Sequence, residues 1–141
     1  MADDELIKIT AGKFVFTARW ETGAAPRTCE AFAKLLPFRN KIIQARWSGE
    51  SAWIPLGDLD VGLGVENATC YPAPGHILLY PGGYSETEIL FPYGSTNFAS
   101  KLGQLAGNHF LTIIEGQEQL SELGRTVVWE GAQDILFERS V

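Results

Sequence analysis

Apolar and polar residues alternate along the start of the chain with the period of two that belongs to extended backbone. Leu6 to Thr10 reads as one strand. From Lys13 to Trp20, Phe14, Phe16, Ala18 and Trp20 fall on one face, and Val15, Thr17 and Arg19 on the other. Ala11-Gly12 is the turn that makes the two runs a hairpin. After the small-residue connection Glu21 to Ala25 the period changes. Cys29, Phe32, Ala33 and Leu36 stand at i, i+3, i+4 and i+7, a single helical stripe. Pro26 suits the first turn of that helix, where its missing N–H loses nothing, and Pro37 stops it. The helix is predicted to cover one open end of a barrel or one face of a sheet.

Beyond it the pattern returns to strands. Arg39 to Trp47 and Ser51 to Pro55 are predicted strands joined by a turn at Ser48-Gly49-Glu50. Gly57 to Gly64 is a loop rich in glycine and aspartate, and Tyr71-Pro72-Ala73-Pro74-Gly75 a second turn region. Ile77 to Tyr80 is a buried strand broken by Pro81-Gly82-Gly83, and Glu88 to Phe91 a short one. Phe98 to Gly107 reads as a helical turn or a loop. Asn108 to Ile114 is a strand, and Gln117 to Leu123 a short helix closed by Gly124 with Leu120 and Leu123 facing in. Thr126 to Trp129 and Ile135 to Phe137 then form a final hairpin. About eight strands and two helices result, and eight strands close into a barrel filled by side chains.

Composition narrows the picture. The 141 residues suit a single domain, 1–141, and 45% hydrophobic residues can fill one core. The net charge of −6 repels phosphate backbones, so no nucleic acid is expected as a partner. No apolar run approaches the roughly 20 residues of a membrane span, and the acidic start Met1-Ala2-Asp3-Asp4-Glu5 is unlike a signal peptide. A cytoplasmic location and no membrane partner are expected. Cys29 and Cys70 have no metal or redox spacing and read as small buried hydrophobes. Asn67-Ala68-Thr69 matches a glycosylation acceptor, which carries no weight without secretion.

Few residues suggest chemistry directly. Glu86 and Glu88, two apart, would face one side of a strand and could hold a cation or act as acid and base; the plainer reading is a solvated loop edge. His76 and His109 lack the His-x-His and Glu pattern of a cupin metal site, so no metal and no cofactor is expected. Nucleophile, phosphate-loop and dinucleotide motifs are absent from the sequence.

Ala25-Pro26-Arg27-Thr28-Cys29-Glu30-Ala31-Phe32 resembles the V-P-x-T-x-x-N-F of cyclophilins. Pro74-Gly75-His76-Ile77-Leu78 resembles their P-G-x-L. Phe110 to Leu123, with Glu115-Gly116 at the junction, follows their order of strand, E-G and short helix. Over residues 13 to 137 the chain therefore resembles a cyclophilin-like domain. It is most similar to a family of small uncharacterised microbial proteins of that fold, which the stretch Tyr80 to Glu88 also resembles. The resemblance implies a mainly β, closed, roughly eight-stranded barrel with two short capping helices.

The resemblance also implies where a site would be. Cyclophilins take their imide-polarising Arg from the strand after the first helix, where Arg46 stands as the one candidate catalytic residue. Of their F-M-x-Q-G-G-D strand, Ser51 to Asp58 keeps the final Gly-Asp, and Pro55 falls where the Gln would be. Their S-Q-F-F-I strand corresponds to Thr87 to Phe91, with Glu88 in place of a neutral Gln and Leu90 in place of a Phe. The downstream Trp is missing, and His109 lies near the position of a cyclophilin His. The expected function is binding of a small molecule or short peptide in a groove on the barrel. Arg46, Trp53, Tyr80, Glu88, Leu90, Phe91 and His109 would line it, Arg46 suiting a carboxylate. A divergent prolyl isomerase using Arg46 and an interaction module or homo-oligomer subunit stand as alternatives. The plainer readings are a solvated Arg46 and aromatic side chains that belong to the core.

Overall fold

In the computed structural model, which describes residues 5–140, alternation becomes strand where period two is unbroken. The acidic start, Met1 to Asp4, lies outside the described residues. The elements run β1 (Leu6–Ala11), β2 (Phe14–Trp20), α1 (Pro26–Ala33), β3 (Phe38–Gln44), β4 (Gly49–Gly57), β5 (Ala68–Thr69) and β6 (His76–Tyr80). They continue with β7 (Thr87–Thr96), β8 (Ala99–Ser100), β9 (Gly103–Gln104), β10 (Gly107–Glu115), α2 (Leu120–Trp129) and β11 (Gln133–Arg139). A single 3-10 turn, Gln117–Gln119, leads into α2.

Eight antiparallel strands close a barrel in the order β2-β1-β11-β3-β4-β7-β6-β10, and β10 pairs back onto β2. Closure leaves these strands no free edge. Period two sends Ile7, Ile9, Phe16, Ile54, Phe91 and Phe137 inward, all at most 1% exposed. The two helices sit at opposite ends. Phe32 of α1 meets Phe38, Phe110 and Phe137 edge-on, with centroids at 5.4, 5.1 and 5.1 Å, at the end where β3 begins and β11 finishes. Leu120, Leu123 and Val127 of α2 enter the same core at the end where β3 finishes and β7 runs out.

Helix α1 has no capping side chain of its own, because Ala25 precedes it. Glu66, in the long loop, takes that role. Its Oε1 accepts from Thr28 N and Oγ1 at 2.8 Å each, and its Oε2 accepts from Arg27 N at 3.2 Å. A carboxylate on the exposed N–H groups of a first turn is the favourable pairing at a helix start.

A second apolar cluster lies on the outer wall of the barrel. Leu78, Tyr80 and Leu90 point away from the interior, and Ala45, Phe98 and Leu105 cover them, with Trp53 at the margin. The cover is the small β8–β9 hairpin and its flanks. Gly107 permits it, since a Cβ there would lie 2.9 Å from both Leu78 Cβ and Phe98 Cε2.

Four expectations differ from this structure. β3 ends at Gln44, and 45–48 is a loop, so Arg46 is not on a strand. Ser48 explains the break: its Oγ bonds Ala99 O and N at 3.1 Å each, drawing the segment toward the hairpin. β7 runs on to Thr96, because Ser51 and Gly49 of β4 continue its ladder. Phe98 to Gly107 forms β8–β9 rather than a helical turn. Thr126 to Trp129 is helix, not strand. Its β-branched residues favour extended backbone, but Leu120, Leu123, Gly124 and Val127 make a stripe at i, i+3, i+4, i+7 that the barrel end buries. No helix among the described residues is long and apolar enough to cross a membrane.

Candidate functional site

A cavity of about 440 Å³ opens on the outer wall of the barrel beside the second apolar cluster. Strand β4 sends Trp53 into it and β7 sends Glu88, both from the outward side of their alternation. Two loops complete the walls, 45–48 with Arg46 and Trp47, and the β8–β9 turn with Lys101. Glu86 stands just before β7.

Three ties hold the walls together. Ser48 joins the first loop to Ala99. Tyr80 Oη accepts from Tyr84 N and Ser85 N at 3.1 Å each, shaping the turn that presents Glu86. Tyr84 Oη donates to Leu102 O at 2.6 Å and links that turn to the hairpin.

The electrostatics are uneven. Glu88 is 6% exposed, and no hydrogen bond or ion pair holds its carboxyl among the described residues. Burial, and secondarily the Glu86 charge, pushes its pKa up to about 8, so the protonated acid predominates at neutral pH. Arg46 and Lys101 have no ion-pair or hydrogen-bond partner among the described residues either. The strand register spaces these groups. Glu88 lies opposite Pro55, Leu90 opposite Trp53, and Pro92 opposite Ser51, next to the Arg46 loop. At about 3.3 Å per residue, Trp53 is about 7 Å along the strand from the Glu88 level, and the loop begins about 13 Å away. The indole therefore stands between an acidic end and a basic end.

Of the seven groove residues expected from sequence, Arg46, Trp53 and Glu88 line this cavity, and Tyr80 and Leu90 belong to the cluster beneath it. The other two lie elsewhere. Phe91 follows Leu90, so alternation turns it into the barrel interior, where it meets Phe16 edge-on at 5.7 Å. His109 is on the wall formed by β6, β10 and β2. There its ring stacks on His76 at 4.4 Å, its Nε2 donates to Thr112 Oγ1 at 2.8 Å, and that hydroxyl donates to Glu21 at 2.6 Å. Arg19 completes the row, bonding the same Glu21 oxygen at 3.0 Å. Burial holds both imidazoles below the usual histidine range, for His109 with the help of His76. One nitrogen of this pair is committed to Thr112, and no group of three or more His, Cys, Asp or Glu side chains that could hold a metal ion converges among the described residues.

Cys29 is fully buried and Cys70 half-buried. Burial pushes the Cys29 thiol up to about 12, and its Sγ donates to Phe110 O at 3.4 Å, so it is an inert packing residue. Trp47, Glu86 and Lys101 are lining residues that the expected groove omitted. Glu86 had a signal in its spacing from Glu88. Lys101 had none, because only the β8–β9 fold brings it near.

A family model described as protein of unknown function (DUF3830) matches residues 7–138. Among curated proteins, none matches the chain. Several solved structures are similar, two of which serve as examples. One is McbB in complex with tryptophan, at TM-score 0.70 and 17% identity, covering 95% of this chain and 44% of that one. The chain thus spans less than half the length of McbB. The other is the solution structure of the hypothetical protein AF2241 from Archaeoglobus fulgidus, at TM-score 0.64 and 17% identity, covering 99% of this chain and 98% of that one. At these identities the likeness is one of fold.

Proposed function

The chain belongs to the DUF3830 family, and we propose that it is a binding protein whose outer-wall groove takes a small molecule or the end of a short peptide. One observation carries the reading: a cavity of about 440 Å³ joins an aromatic wall, Trp53, to two ionisable groups, Arg46 and Glu88, that have no hydrogen-bond or ion-pair partner among the described residues. Ligand sites are concave and are oriented by a few well-placed polar groups. The cations suit a carboxylate, which a guanidinium takes with two hydrogen bonds. The likeness to McbB supplies a first probe, since that protein is in complex with tryptophan.

The isomerase alternative has less support. Arg46 is an exposed loop residue whose side chain has no hydrogen-bond or ion-pair partner among the described residues, and Pro55, opposite Glu88, stands where a cyclophilin would offer a Gln. An imide-polarising donor works through preorganisation, and a free loop arginine lacks it.

A thermal-shift screen of carboxylates and short peptides tests the binding reading. A ligand at one hundred times its Kd adds about 2.7 kcal/mol to folded-state stability, enough to raise Tm by several degrees. At least one compound should do so for the wild type and not for Trp53→Ala. A flat response across the panel would refute a binding groove.

A further inference from the structure

We propose that the groove is a site for a small amino-carboxylate, the class of free amino acids and dipeptides. Its ammonium group meets Glu88 and its carboxylate meets Arg46 and Lys101. This rests on the binding reading above and names its ligand class.

The first support is the state of Glu88. It is more than nine-tenths buried, it lines the cavity, and no group of the protein pairs with it among the described residues. Removing a carboxyl from water without a partner is unfavourable, and an arriving cation is the partner that relieves it. Glu86 lines the same cavity and adds negative charge there.

The second support is the opposite pole. Arg46 and Lys101 come from two loops that Ser48 ties together, and neither has an anionic partner among the described residues. The register sets this pole beyond Trp53 from Glu88, about 13 Å along the backbone, a gap that flexible Arg and Lys side chains shorten from one side. A plain carboxylate would leave Glu88 unmatched. An amine alone would leave the two cations unmatched. A phosphate would bring two charges into the field of Glu86 and leave Glu88 without a cationic partner. A molecule with one charge of each sign satisfies both poles, and its side chain or backbone can lie on the Trp53 ring.

Binding then has a proton signature. Glu88 is held protonated near neutral pH by burial and by Glu86. To pair with an ammonium group its O–H bond must break, and the proton passes to solvent. The other charged groups lining the cavity are Glu86, Arg46 and Lys101.

Isothermal titration of the full chain at pH 7, in phosphate and in Tris, reads this directly, because the two buffers differ in ionisation enthalpy. The probes are two triplets: L-tryptophan, tryptamine and indole-3-propionate; and L-leucine, isoamylamine and 4-methylvalerate. The expected result is that one amino-carboxylate binds at least about tenfold tighter than both single-charge analogues and releases about one proton. Glu88→Gln should abolish the release and weaken the amine-bearing probes, leaving the carboxylate-only probe unchanged. A carboxylate-only probe that binds as tightly as its amino-carboxylate overturns this inference and leaves the binding reading standing. So does silence from all six probes when the wider carboxylate panel binds. Silence from both sets overturns the two together.

Discussion

Glu88→Gln should make the protein more stable, and by an amount that grows with pH. The wild-type carboxyl has a pKa raised from 4.5 to about 8 by burial and by Glu86. Its folded value lies above its unfolded value, so the folded state binds the proton more tightly. The contribution is fully present below pH 4.5 and is lost as pH rises toward about 8. At about 1.4 kcal/mol per pH unit, the loss is on the order of 3 kcal/mol at pH 7 and on the order of 5 kcal/mol above pH 8. Glutamine has the shape of the neutral acid and cannot ionise, so it escapes the loss. Urea unfolding followed by tryptophan fluorescence, from about pH 4 to pH 9, would give wild-type and variant stabilities at each pH. The two should coincide near pH 4 and diverge up to about pH 8. His76 and His109 also titrate in this range. Their depressed values give stability that is present above 6.5 and lost as pH falls, and this is common to both proteins, so it cancels in the difference. A difference that is constant over the whole range would refute the reasoning, since it would mean that Glu88 ionises in the folded state as readily as in water.

Two further outcomes are expected. Gly124→Ala should destabilise by on the order of 2 kcal/mol in urea unfolding, although alanine is the better helix former by about 1 kcal/mol. The new Cβ would collide with the Tyr93 ring, which is held in place by its hydroxyl donating to Gln44 Oε1 at 2.6 Å. An unchanged midpoint would show that the ring gives way freely. In a protease-coupled assay over an X-Pro peptide series, the rates should equal the uncatalysed background, and Arg46→Ala should change nothing. Acceleration that is lost in Arg46→Ala would overturn the preference for a binding site.

Much of the barrel was legible in the chain because alternation reports which side of a strand is wet. Phe14 to Trp20 follows its alternation, and Ile77 to Tyr80, an unbroken apolar run between Gly75 and Pro81, is a strand buried on both faces. The helix after Pro26 was legible for the same local reason. The errors fall where local preference and tertiary contact disagree. Thr126-Val127-Val128 favours a strand in isolation, yet a barrel end with room for one apolar stripe makes it helix. Phe91 looked like a groove wall because it is aromatic and neighbours Leu90, but a shift of one residue in a strand exchanges inside for outside. His109 looked like a groove residue by order in the chain, and β10 carries it to another wall.

The sequence by itself determined most of the barrel strands, the first helix, the net negative charge, and a short set of residues with site potential. These follow from periodicity, from Pro and Gly, and from charge, all of which act over a few residues. Only the tertiary structure decided that Arg46, Trp53, Glu86, Glu88 and Lys101 share one cavity. These residues come from β4, β7 and three loops, and no local rule relates them. Their meeting depends on the β4–β7 register, on the Ser48 tie to Ala99, and on a hairpin folding over the outer wall. The burial that gives Glu88 its altered acidity comes from the same packing, since a carboxyl loses its water through neighbours that are distant in sequence.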